Sequence, residues 1–466
     1  MRVLRIRSGA RGRMLLSLRP SVPEVLARLA VRRVWQWRRE LTGLAGLWLA
    51  LRVAGRLSGG HGGLTVAVVC AVLLGVPATR RPIVGWFYAG RVRRSWARAC
   101  RAAELVGWMA RTPPVRAVRP VSAGVVLTVR LLPGQEPDDL RRAAGRLAAT
   151  MRVRSISVVA DPADVGRVRV LVVYRQTLDR LVSPAPLHEP SGGGVDVAGL
   201  VAGLDRLVVG VREDGDPWLL PLRGAHVLVA GATGAGKGSV LWSAIRALGP
   251  AVSAGVVQVW GVDPKRMELS FGGGMFARLA VDVEDIATLL EDAVGRMRGR
   301  AGRLAGNSRT HVPTVDEPLI VVVIDEIASL TAYVTDQGLK KRLAAALAVL
   351  LSQGRAPGVV VVGAVQDPRK EVLPLRDLFP VRVVLRMSEP TQVDLVLGSG
   401  ARDRGAYADL IPVSLPGVGY VLTDGDPTPA KVRAAFVSDD DIRHLSATHQ
   451  ADAGHGDGDD GDGWPQ

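Results

Sequence analysis

The sequence predicts an α/β protein: a doubly wound P-loop sheet, preceded by a small α+β domain and an N-terminal transmembrane helical hairpin. Three observations predict it. His226–Ser239, HVLVAGATGAGKGS, is an apolar β-run that empties into a glycine-rich loop and then into a helix-forming segment beginning at Lys237. About 90 residues later, Leu319–Glu326 reads LIVVVIDE, apolar enough for a strand buried on both faces and ending abruptly in two carboxylates. Near the start, two apolar stretches stand between arginine-rich flanks.

Residues 1–40 form a basic cytoplasmic N-terminus in this reading, with Arg2, Arg5, Arg7, Arg11 and Arg13 among its charges. A secretory signal would become apolar within a few residues, whereas here the apolar part begins near Leu41. Residues 41–79 read as two membrane spans, LTGLAGLWLALRVAGRL at 41–57 and roughly Gly59–Thr79. Both are near the minimum for about 30 Å of hydrocarbon, and Arg52 and Arg56 would have to snorkel. The alternative is a buried helical hairpin. Arginines on both flanks and none in the connecting GGHGG place both ends inside, so the expectation is a multi-pass plasma-membrane protein whose main domain is cytoplasmic.

Residues 80–117 are basic and helical in pattern, broken by Pro113 and Pro114. Residues 118–183 carry an α+β signature: SAGVVLTVRLLPG as a strand, DDLRRAAGRLAATM as a helix, then ISVVA and RVRVLVVY as strands. Residues 184–200, with Pro184, Pro186, Pro190 and a Ser-Gly-Gly-Gly run, read as a linker. Residues 201–445 hold the main sheet, with further strands at Gly358–Val365 and Val381–Met387, and 446–466 form an acidic, disordered tail.

The chemistry follows from residue types. Gly231, Gly234 and Gly236 let the backbone turn so that successive N–H groups and a helix N-terminus converge on an anion. The whole run Gly231, Ala232, Thr233, Gly234, Ala235, Gly236, Lys237, Gly238, Ser239 is therefore assigned to phosphate binding, with Lys237 facing the outer phosphates. Gly238 stands where a hydroxyl usually reaches Mg²⁺; Ser239 comes one residue late and, unless a water substitutes, is the candidate to hold the metal beside Asp325. Unpaired carboxylates at a buried strand tip are costly, so Asp325 and Glu326 need a role. Asp325 suits the Mg²⁺ shell and Glu326 the attacking water. A ligand-free turn is the alternative for the loop alone; the two motifs together point to nucleotide hydrolysis.

Composition bounds the partners. The 466-residue chain has room for more than one domain. Cys70 and Cys100 offer neither a disulfide framework nor a zinc site. A net charge of +16 favours a polyanion such as nucleic acid, or an anionic membrane. Only 6 of the 60 basic residues are lysine, so arginine richness also reflects a general compositional bias.

In order, GATGAGKG, VWGVDPKRMEL (Val259–Leu269), LIVVVIDE, GRAPGVVVVGAVQDP and FPVRVVLRMSEPTQVDLVLG resemble the FtsK/SpoIIIE motor family over roughly Val121–Val437. In detail the chain is most similar to actinobacterial members carried on conjugative plasmids and integrative elements. The resemblance implies a RecA-like motor that assembles as a homo-oligomeric ring, a hexamer, around double-stranded DNA and threads it using ATP and Mg²⁺. It makes Gln366 a sensor of the γ-phosphate, and places Arg382 and Arg386 where one reaches a neighbouring subunit's nucleotide. Two departures stand out: Gly238, and about 30 residues after Phe436 that are too few and too acidic for a winged-helix module. Sequence choice would then come from motor loops or a separate partner. Arg355, Arg369 and Lys370 are candidate contacts to DNA phosphates. The leading function is a membrane-anchored DNA translocase for conjugal transfer or chromosome segregation. The alternatives are an ATPase of specialised protein secretion, which usually strings several motors together, and a non-motor nucleotide switch.

Overall fold

The computed structural model describes residues 4–5, 17–18, 77–161, 163–187, 196–369 and 372–450. The first long element is α1, Pro77–Ala102. Val92, Trp96, Ala99, Cys100 and Ala103 recur at helical spacing and are buried, and Trp96 Nε1 donates to Pro113 O at 3.0 Å. Burial pushes the Cys100 thiol up to about 12, so it serves as a small apolar residue.

The expected membrane hairpin lies outside the described residues except at its end, where Pro77, Ala78 and Thr79 open α1 instead. With seven arginines in its 26 residues, α1 offers no uninterrupted apolar window. Among the described residues no helix is long and apolar enough to cross a membrane, which overturns the expectation of a multi-pass membrane protein.

The α+β region contains β1 (Gly124–Arg130), α2 (Pro137–Arg142), β2 (Ser155–Ala160) and β3 (Arg167–Val173). β3 pairs antiparallel with both β1 and β2. Val125, Leu127 and Val129 of β1 are buried while their neighbours are not, the alternation of a sheet with one covered face. The helix expected after β1 is two pieces, α2 and Ala144–Met151, separated by Ala143.

The main sheet is built from β4 (Leu207–Arg212), β5 (Pro217–Leu220), β6 (Val227–Ala230), β7 (Val257–Val262), β8 (Arg278–Ala280), β9 (Leu319–Ile324), β10 (Val359–Val365), β11 (Val381–Leu385), β12 (Val418–Thr423) and β13 (Asp426–Ala434). Its order is β8-β7-β9-β10-β6-β11-β12-β13-β4-β5. The six strands from β8 to β11 are parallel, and the rest join antiparallel. Helices α3 (Val197–Gly203), α4 (Lys237–Ser253), α5 (Val283–Leu304), α6 (Gln337–Gln353), α7 (Pro390–Leu397) and α8 (Asp439–Thr448) complete it. Burial on both faces is visible in β6: Val227 and Val229 join a core with Leu241 and Ile245 of α4, whereas Leu228 and Ala230 join one with Leu290 of α5 and Leu347 of α6. This is a mixed α/β P-loop ATPase fold.

β10 follows β9 in the chain yet lies between β6 and β9. Whatever follows β10 therefore emerges between the glycine loop after β6 and the carboxylates after β9, in the crevice at the carboxyl ends of the strands where open α/β sheets bind ligands.

Just before the segment read as a linker, Val182 bridges Ala435 and Phe436 N–H donates to Val182 O at 2.8 Å; within it, Arg246 donates to Ala185 O at 2.6 Å. Val197–Gly203 is helical, capped by Asp196, and residues 188–195 lie outside the described set. At the other end α8 runs past residue 446 to Thr448, its start fixed by a Ser438–Asp441 capping box; residues 451–466 lie outside.

Candidate functional site

Between β6 and α4 the backbone turns through left-handed conformations, φ +70° at Gly234 and +95° at Gly236, which glycine adopts without strain. The loop is stitched to three neighbours. Gly231 N–H donates to Val365 O (3.1 Å), Ala232 N–H to Arg386 O (2.9 Å), and Ala235 O accepts from Gly417 N–H (2.8 Å). Lys237 opens α4, and its Nζ donates to Gly231 O at 3.0 Å across the loop. Burial holds its ammonium below the usual range, while Glu326 and Asp325 act in the opposite sense. A helix N-terminus, a glycine-rich loop and a part-desolvated ammonium make one anion site.

Asp325 and Glu326 follow β9 directly. Glu326 is only 2% exposed. Its Oε1 accepts from Ala328 N–H (3.3 Å) and Gln366 N–H (3.4 Å), and its Oε2 lies 3.5 Å from Lys265 Nζ. Asp325 is half-buried; burial pushes its carboxyl up, against the pull of Lys265. Gln366, at the end of β10, accepts the Thr233 hydroxyl on its Oε1 at 3.0 Å. Thr233, Gln366 and Glu326 thus form one hydrogen-bonded path from loop to carboxylate. Arg386, after β11, donates to Thr233 O at 2.7 Å, a contact within its own chain. Lys237, Glu326, Gln366 and Arg386 are all brought together around the loop.

Other candidates are not. Arg382 donates to Val396 O of α7 at 3.2 Å, away from the loop. Arg355 precedes β10 and donates to Gly224 O (2.8 Å), whereas Arg369 follows β10 and lies 3.7 and 3.8 Å from Asp367 and Glu389. The two sit at opposite ends of one strand and form no common patch; Lys370 lies outside the described residues. Ser239 is one residue beyond Gly238, about 100° further around α4. Among the described residues no group of three or more His, Cys, Asp or Glu is arranged to hold a metal unaided. That suits Mg²⁺, which is bound through one or two carboxylates plus substrate phosphates.

The run VWGVDPKRMEL carries no task that the sequence alone assigns to its residues, and the structure gives them places. Asp263, fully buried after β7, accepts from Leu269 N–H (3.0 Å), Ser270 N–H (3.1 Å) and the Ser270 hydroxyl (3.0 Å). It folds the turn that carries Lys265 to Glu326. Arg266 in that turn has φ +56°, a strained conformation for a non-glycine residue. The available signal was another buried strand ending in a carboxylate.

Comparison with known proteins agrees with this layout. The profile of the actinomycete conjugal transfer protein N-terminal domain matches residues 79–174, and that of the FtsK/SpoIIIE family matches 204–404. Transfer protein TraSA of Streptomyces ambofaciens is 27% identical over 349 residues, covering 70% of this chain and 79% of that protein. DNA translocase FtsK of Staphylococcus aureus (strain Mu50) is 25% identical over 267 residues, 52% of this chain; the match spans only 32% of that protein. The solved pCW3 conjugation coupling protein TcpA, a monomer form with ATPγS, has a TM-score of 0.47 at 18% identity, covering 76% of this chain and 98% of that one. The second profile begins just before β4 and ends beyond α7, enclosing the glycine loop, Asp325, Glu326, Gln366 and Arg386, so residues 204–404 form an FtsK/SpoIIIE-family domain in a chain similar to actinomycete transfer proteins.

Proposed function

We propose that this protein is an ATP-driven translocase of double-stranded DNA, acting in conjugal transfer or chromosome segregation as a homo-oligomeric ring, a hexamer. The observation that carries the reading is the path Thr233–Gln366–Glu326, because it joins a phosphate loop to a residue suited to water activation. A pure nucleotide binder needs no such path.

In this reading the loop from Gly231 to Ser239 holds the phosphates through amides other than those of Gly231, Ala232 and Ala235, which bond within the protein, and Lys237 offsets the charge of the outer phosphates. Glu326 orients and polarises the attacking water, its carboxylate already fixed by two N–H donors. Gln366, whose Oε1 accepts the Thr233 hydroxyl, donates its Nε2 amide to a γ-phosphate oxygen, so the loop and β10 respond together when that phosphate leaves. Arg386 sits at the loop's rim, where a ring would set it beside the next subunit. Asp325 is the carboxylate placed to hold Mg²⁺, which when bound neutralises charge on the β- and γ-phosphates. The net charge of +16 supports a polyanionic substrate.

The test is ATP hydrolysis by the full chain against linear double-stranded DNA, across protein concentration and salt. DNA of any sequence should stimulate turnover, and the stimulation should fall steeply with salt. Between 50 and 200 mM, a protein making several phosphate contacts loses roughly 10³–10⁵ in affinity. No stimulation at low salt, with activation by a small secreted protein instead, would move the assignment to protein export.

A further inference from the structure

Residue 238 carries no side chain in a loop position that usually supplies a metal-binding hydroxyl, and the structure shows what fills the space. A Cβ built on Gly238 would come 2.1 Å from Glu268 Oε1 and 2.9 Å from Oε2. A side chain at 238 would have to displace that carboxylate, so the glycine leaves the space the glutamate fills. We propose that the Glu268 carboxylate replaces the loop hydroxyl and serves, with Asp325, as a protein ligand of the nucleotide-bound Mg²⁺. The proposal rests on the loop being a nucleotide site.

Three further observations support it. The Glu268 carboxylate makes no hydrogen bond or ion pair among the described residues, though it is half-buried, which is costly for a charge without a ligand. Burial pushes its carboxyl up, and Asp325 is foremost among the charges acting in the same sense, so it faces the crevice of the carboxylate already placed for the metal. Its backbone is held in position: Trp242 Nε1 of α4 donates to Glu268 O at 3.3 Å, and Asp263 caps the turn that follows. Two carboxylates, phosphate oxygens and water are a usual Mg²⁺ environment. Compared with a hydroxyl, a carboxylate adds a full charge, which draws Mg²⁺ and repels phosphates when the metal is absent. Nucleotide and metal should therefore depend on each other strongly.

The measurement is binding of fluorescent ATPγS to the full chain, in EDTA and as a function of Mg²⁺. In Glu268→Gln the Mg²⁺ half-saturation should rise at least tenfold, while binding in EDTA should stay the same or tighten. Glu268→Ala with Gly238→Ser makes room for a hydroxyl and should bring half-saturation back within about threefold of wild type. If Glu268→Gln melts early, Glu268→Asp, which withdraws the carboxylate by one methylene, should still raise half-saturation. Unchanged Mg²⁺ dependence in Glu268→Gln and Glu268→Asp overturns the proposal; so does an equal loss with and without Mg²⁺, which would make Glu268 a prop for the loop. Failure of the wild-type chain to bind ATPγS under any condition would instead remove the nucleotide site itself.

Discussion

Replacing Glu326 by Gln separates chemistry from structure because the substitution preserves shape. The amide oxygen can still accept from Ala328 and Gln366, the bonds now made by Oε1 at 3.3 and 3.4 Å. What disappears is the charge facing Lys265 Nζ at 3.5 Å. Lys265 is 43% exposed, so solvent screening leaves that pair worth about 1 kcal/mol or less. A residue that activates water is worth roughly 10²–10⁴ in rate, or about 2.7–5.5 kcal/mol at 1.36 kcal/mol per decade. The catalytic effect should therefore exceed the structural one severalfold. The assay is steady-state turnover at saturating ATP and Mg²⁺, beside the dissociation constant for fluorescent ATPγS. Turnover should fall about 100-fold or more while affinity stays within about threefold. Lys237→Ala is the contrast: its Nζ lies within the loop, so binding and turnover should fall together. Glu326→Gln turning over within about threefold of wild type would refute the assignment.

Two further outcomes follow from packing and burial. Gly236→Ala forces a side chain onto a φ of +95° and sets a Cβ 2.3 Å from Gly417 N; it should cost about 2 kcal/mol and abolish nucleotide binding, and an unchanged urea midpoint would count against it. His226 is buried, with Nδ1 accepting from Val361 N–H at 3.0 Å, and burial lowers its pKa from 6.5 to about 4. The unfolded chain binds that proton first, so the stability it confers is full above about pH 6.5 and is lost as pH falls toward 4, by about 3 kcal/mol. In His226→Gln, denaturation midpoints should drop less over that window; an identical drop would show that other groups carry it.

The parts of the site legible in the sequence are those where a local rule is broken for a reason. Glycines at 234 and 236 mark left-handed turns, and an apolar strand ending in Asp325 and Glu326 places charge where packing alone would not. Gln366 was legible through motif order, and the strand order explains why: β10 is inserted between β6 and β9. Arg355 and Arg369 look like neighbours in a basic segment, but seven strand residues carry them to opposite ends of β10. Arg382 alternates along β11 toward α7, so its periodicity, not its charge, decided its partner. Proline and glycine content describes a chain in isolation, so it says nothing of long-range contacts such as the bond from Arg246 to Ala185 O.

Glu268 escaped notice for a related reason, and that reason says how the site is held. Nothing in the run from Asp263 to Glu268 places a carboxylate over a loop 30 residues upstream. The placement comes from α4, whose Trp242 holds Glu268 O, and from α8, which touches both sides of the arrangement. Ser446 Oγ accepts from Gly274 N–H at 2.9 Å in the turn after Glu268, and His449 Nδ1 lies 2.6 Å from Ser253 Oγ at the far end of α4. The loop helix and the Glu268 turn are thus clamped by one C-terminal helix, whose own start is fixed by the Ser438–Asp441 box. A displacement of the loop on release of a phosphate would be carried by α4 to α8 and to the Glu268 turn together, because the hydrogen bonds between them leave few independent ways to move. The missing hydroxyl at residue 238 and the clamp belong to one design: a metal ligand supplied from a neighbouring turn is useful only if that turn travels with the loop.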